Sequence, residues 1–89
     1  MIKNAIAMLM DGITDVNMMI DYMYDAETPE EESWIRKHID SRMEWIWKDY
    51  EYVCMRLELK EKARGGDIMA EAFKSHLDHE MSELKRRIG

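Results

Sequence analysis

Apolar residues recur along the first part of the chain at Ile2, Ile6, Leu9, Ile13, Val16, Ile20 and Met23, in alternating steps of four and three. That is the period of a helix packing in coiled-coil fashion. Gly12 lies inside the pattern and lowers helix stability by about 1 kcal/mol relative to Ala, so a bend would fall there. A second row, Asp11, Asp15, Met18, Tyr22 and Asp25, repeats the same steps. At ~100° per residue it spans about 80° of arc, roughly 170° from the apolar stripe.

The middle of the chain also carries two stripes. One is Ile35, Ile39, Met43, Ile46, Tyr50, Val53 and Leu57, with Cys54 beside it; the other is Trp34, His38, Trp45, Tyr52 and Leu59, with Met55 close by. They lie roughly 140° apart on a helix. Two apolar sides predict neighbours on two sides, hence a central helix. Its length exceeds that of either neighbour, so a second chain would cover the remainder; a break within Asp40-Ser41-Arg42 is the alternative, because Asp and Ser are mediocre helix formers. The last stretch repeats the pattern with Met69, Phe73, Leu77, Met81, Leu84 and Ile88, and Glu80 falls inside this stripe.

Local signals place the ends. Thr28-Pro29-Glu30-Glu31 offers a cap, a proline at the first helical position and a capping-box glutamate. Glu30 to Glu32 then sit at the positive end of the helix dipole. Lys60, Lys62 and Arg64 followed by Gly65-Gly66 read as a basic last turn and a glycine stop, with Asp67 as the next cap. Lys85-Arg86-Arg87 before Gly89 reads as another helix end. The expectation is an all-α fold, a single domain over 1–89. Three antiparallel helices span about 2–26, 29–64 and 68–88. The long central one is packed in coiled-coil fashion, and the molecule dimerises into a larger bundle.

Composition narrows the function. A chain of 89 residues buries only about 60–65 % of its unfolded surface, which favours self-association. One cysteine excludes a disulfide framework and predicts a reducing, cytoplasmic setting. Neither a secretory apolar segment nor a membrane span is visible. The net charge of −6 disfavours direct nucleic-acid binding. The acidity is concentrated: residues 1–27 hold five acids and one base, whereas 28–64 hold nine and eight.

Candidate chemistry is sparse. His76, His79 and Glu80 offer metal ligands within one turn, with His38 a further donor on the long helix. The Glu-x-x-His pattern of di-iron bundles is absent, because Ile35, Phe73 and His76 stand three residues before the histidines. The plainer reading is a His76–Glu80 hydrogen-bonded pair, so no cofactor is expected. Cys54 beside an apolar stripe is expected to be buried and inert. No glycine-rich loop presents a nucleophile or cradles a phosphate, so no enzyme is expected. A helix-turn-helix at Gly65-Gly66 is disfavoured by Glu71, Asp78, Glu80 and Glu83 on the following helix.

What remains is a surface. Asp11, Asp15 and Asp25 interleaved with Met18 and Tyr22 suit recognition of a basic protein. A solvated helix face is the plainer reading, and Met18 and Tyr22 weigh against it. Trp34, Trp45 and Tyr52 are either core, a dimer seam or a target interface, tryptophan being enriched at hot spots. Ten methionines add adaptable contact surface. The expected function is a small acidic interaction module, a stoichiometric inhibitor or adaptor of a basic, nucleic-acid-handling protein. Mobile elements use such proteins against host defence, an analogy of size and charge. The alternatives are an assembly subunit acting by self-association and a His/Glu metal- or ligand-binding bundle.

Overall fold

The structure is a computed structural model that describes residues 2–63 and 68–89, with the side chains of all of these except 60–63. The proposed glycine stop at Gly65-Gly66, the cap at Asp67 and the Lys60, Lys62 and Arg64 side chains lie outside the described residues. Three helices make up the fold: α1 (Ile2–Tyr24), α2 (Pro29–Ala63) and α3 (Ile68–Ile88). No strand occurs among the described residues. The molecule measures 53 × 21 × 15 Å, its long axis matching the ~52 Å of a 35-residue helix.

The start of α2 follows from its sequence. Thr28 Oγ1 accepts the Glu31 N–H at 3.1 Å, and Glu31 Oε2 accepts the Glu27 N–H at 3.2 Å. The cap side of the capping box is therefore formed. Its reciprocal bond reaches one residue further back than the usual pattern. α1 ends two residues before the expected position, in a tight turn in which the Asp25 N–H is shared between the Asp21 and Tyr22 carbonyls. α2 runs without a break through Asp40-Ser41-Arg42.

One core joins all three helices. Leu9, Ile13, Val16, Ile20 and Met23 of α1 meet Ile35, Ile39, Met43, Ile46, Val53 and Leu57 of α2, and Ala70, Leu77, Met81 and Leu84 of α3 complete it. The register is antiparallel between neighbours. Asp15 pairs with Arg42 across α1 and α2, and Glu58 with Lys74 across α2 and α3. α1 and α3 therefore run parallel, and their C-terminal ends meet: Tyr24 donates to the Arg87 carbonyl at 3.0 Å, and Arg87 reaches Asn17 at 2.5 Å and Asp21 at 2.6 Å. Lys85-Arg86-Arg87 is thus more than a helix end, because Arg87 ties α3 to α1.

Three expectations need correction. The second stripe of α2 is not covered by a neighbour: Trp34, Trp45, Tyr52, Met55 and Leu59 are all exposed. Both partner helices pack on the Ile35–Leu57 side and also touch each other, so one apolar face of α2 serves both. In α3, Ala70 is buried where Met69 was expected, and Met69 is exposed. α1 runs without a break through Gly12. Gly12 faces α2 in close contact, and a methyl group there would fall 2.9 Å from Ile46 Cγ1.

Candidate partner-binding face

The acidic row of α1 and the tryptophan row of α2 come from separate stretches of sequence. Packing the Leu9–Met23 stripe against the Ile35–Leu57 stripe turns both rows to one side of the α1–α2 hairpin. Two hollows record the meeting. One, of about 620 Å³, is lined by Met19, Tyr22, Asp25, Glu31, Trp34, Ile35 and His38. The other, of about 370 Å³, is lined by Met8, Asp11, Arg42, Trp45 and Asp49. Asp11, Tyr22 and Asp25 of the acidic row thus meet Trp34 and Trp45 of the tryptophan row, whereas Asp15, Met18 and Tyr52 line neither of these two hollows.

The large side chains on this face are open to solvent. Tyr22 and Trp34 are each 63 % exposed, Trp45 62 % and Met18 51 %. A soluble monomer rarely leaves so many large apolar side chains on one side. Met8, Met19, Glu31 and His38 belong to the face but were not in the expected partner-binding set. Met8 and Met19 gave no signal, because methionines recur on every side of α1. Glu31 had already been assigned to the cap of α2.

The charges are uneven along the face. Residues 21–32, which end α1 and begin α2, carry six acids and no base. Asp21 is paired with Arg87, and Arg36 lies 4.0 Å from Glu32. Asp15 is also partly neutralised, its Oδ2 being 3.3 Å from Arg42. Asp11 and Asp25 make no ion pair among the described residues. Asp25 follows the last turn of α1, where a carboxylate opposes the helix dipole at a cost of about 0.3–1 kcal/mol. A local rule broken without structural gain is expected where function constrains the sequence.

The aromatic residues differ in what they touch. Lys48 lies over the Trp45 ring at 5.1 Å, and Lys85 over the Trp47 ring at 5.9 Å. Trp34 makes a T-shaped contact with His38, with ring centroids 4.4 Å apart. Tyr52 is exposed further along α2, beyond both hollows.

The remaining candidates sit elsewhere. His76 and His79 are exposed on α3 and Glu80 is half-buried, and no hydrogen bond joins His76 to Glu80 among the described residues. His76 instead packs near Phe73, with ring centroids 6.4 Å apart. The described residues gather no group of three or more His, Cys, Asp or Glu side chains able to hold a metal ion. His38 faces the larger hollow, next to Trp34. Cys54 is half-buried between α2 and α3, and burial pushes its thiol above the ordinary range. Little thiolate forms at neutral pH under those conditions. Beside it, the Tyr50 hydroxyl donates to Asp78, and that bond, helped by burial, raises the phenol strongly.

Among the described residues no helix is long and apolar enough to cross a membrane. No family model, curated protein or solved structure matches the chain.

Proposed function

We propose that the protein is a non-enzymatic interaction module that binds a basic protein partner through the exposed α1–α2 face. The observation that carries this reading is that Asp11 and Asp25 of α1 line the same solvent-open hollows as Trp45 and Trp34 of α2. Carboxylates steer and orient a cationic partner, while half-exposed aromatic and methionine side chains supply the area that becomes buried. Asp11 and Asp25 provide most of the steering charge, with Asp15 reduced by Arg42. Met18, Tyr22, Trp34 and Trp45 provide the anchors.

A nucleic-acid-handling protein is the partner class that fits best. A row of carboxylates competes with phosphates for the same cationic surface, so binding blocks that surface stoichiometrically. The analogy with anti-defence proteins of mobile elements rests on this mode of action and on size. The unpaired, half-buried thiol suits action in a reducing cytoplasm.

Self-association is the second reading, and one feature favours it. Tyr52, Met55 and Leu59 of α2 are exposed beyond the acidic hollows, and Ile68 and Met69 are exposed at the start of α3. A homodimer formed there would leave the acidic face free and present it twice.

The test is affinity capture from the producing cells with the native chain and with an Asp11→Asn/Asp15→Asn/Asp25→Asn variant. The native chain is expected to retain a basic protein in molar proportion and to release it as salt is raised. The variant should bind it about tenfold or more weakly with unchanged helicity, since exposed charges contribute ~0–1 kcal/mol each to folding. Equal capture by both chains, insensitive to salt, would overturn the proposal.

A further inference from the structure

The larger hollow of the face has chemistry of its own. Met19, Tyr22, Trp34 and Ile35 give it an apolar lining with two aromatic rings, Asp25 and Glu31 place two carboxylates on it, and His38, in T-shaped contact with Trp34, completes it. It is a surface hollow of about 620 Å³, open to solvent. Glu31 Oε2 already accepts the Glu27 N–H, and among the described residues Oε1 has no partner. With Trp34 63 % exposed, at least one face of its indole is open.

The other tryptophans show what is missing here. Trp45 and Trp47 each carry a lysine of the same chain over the ring. Among the described residues no cation lies over Trp34. Lys37 lines a separate hollow with Pro29, Glu30, Ser33 and Trp34. An aromatic ring beside two carboxylates, without a cation, is an incomplete cation–π arrangement.

We infer that this hollow receives an arginine side chain of the basic partner, its guanidinium stacked on Trp34 and bonded to Asp25 and Glu31. The inference rests on the basic-partner reading and specifies which residue of the partner is read. A purely apolar anchor would cover the Asp25 carboxylate and the free Glu31 Oε1 without satisfying either, which is costly. An anion is repelled by the same pair. A second copy of this chain brings more acid to the hollow, and the bases nearest its own face are committed, Arg42 to Asp15 and Lys48 to Trp45. Lysine satisfies the charge, but only a planar guanidinium both stacks on an indole and bridges two carboxylates.

The three indole N–H groups give a direct readout by NMR. The probe is a capped helical peptide with three arginines on one face, compared with the same peptide carrying citrulline, the neutral isostere, at those positions. The arginine peptide is expected to shift the Trp34 indole signal saturably, assigned through Trp34→Phe, and to leave Trp47 unmoved. The citrulline peptide should bind about tenfold or more weakly, and an Asp25→Asn/Glu31→Gln variant should lose the same factor. Gln keeps the capping bond at position 31, so the variant is expected to fold, and circular dichroism checks this. Equal binding of the citrulline peptide overturns the inference and makes the hollow an apolar groove. Shifts confined to Trp45 also overturn it, while leaving the basic-partner reading intact. No shift at either tryptophan overturns both.

Discussion

At the scale of single residues, Tyr50 shows how one polar contact is built into the α2–α3 seam. It occupies a core position of the α2 stripe, and its half-buried ring lets the hydroxyl reach Asp78 at the edge. The hydrogen bond to Asp78, then burial, raises the phenol above its ordinary value of 10.0. Burial likewise raises Cys54 above 9.0. A group raised in the folded state stabilises it below the unfolded value and loses that contribution as pH rises. Stability is therefore expected to be flat at neutral pH as far as these groups are concerned, and to fall once pH passes about 9–10. Chemical denaturation across that range checks it. Tyr50→Phe should flatten the upper part of the fall, and an unchanged profile would show that the Asp78 bond does not contribute.

Among the helical elements, α1 packs tightly on α2 at Gly12. An alanine there gains about 1 kcal/mol of helix propensity. It also places a methyl group 2.9 Å from Ile46 Cγ1, an atom fixed by its branch point rather than a free side-chain tip. Overpacking of this kind costs about 1–3 kcal/mol. The second effect is expected to win, so Gly12→Ala should lower the stability by about 1 kcal/mol and Tm by ~4–8 °C. Calorimetry decides the matter, and a raised Tm would mean that the helices do not approach this closely. The sequence showed the elements well because their signals are local: Thr28 and Pro29 at one junction, and a regular heptad on α1. It did not show why Gly12 is there, because propensity describes one helix and a crossing involves two. Nor did it separate the two stripes of α2. Trp, Tyr and His each carry an apolar body and a polar group, so their periodicity is the same whether they are buried or exposed. The Arg87 contacts to Asn17 and Asp21 join residues 70 and 66 positions apart, a distance no periodicity spans.

For the whole molecule, the main feature is asymmetry. One side of the bundle joins α3 to the core and holds the Tyr50–Asp78 and Glu58–Lys74 contacts. The other exposes Asp11, Tyr22 and Asp25 of α1 beside Trp34 and Trp45 of α2. The acidic row of α1 was legible as a row, and so were Trp34, Trp45 and Tyr52. Their convergence was not, because it depends on which stripe of α2 packs inward. The central claim is that this face is covered by a basic protein and not by a second copy. Site-specific photocrosslinking tests it most directly, with benzoylphenylalanine replacing Tyr22 and the adduct identified by mass spectrometry from the producing cells. The account predicts a one-to-one adduct with a protein of basic charge, suppressed at high salt. An adduct only with another copy of the chain, or none, would contradict it.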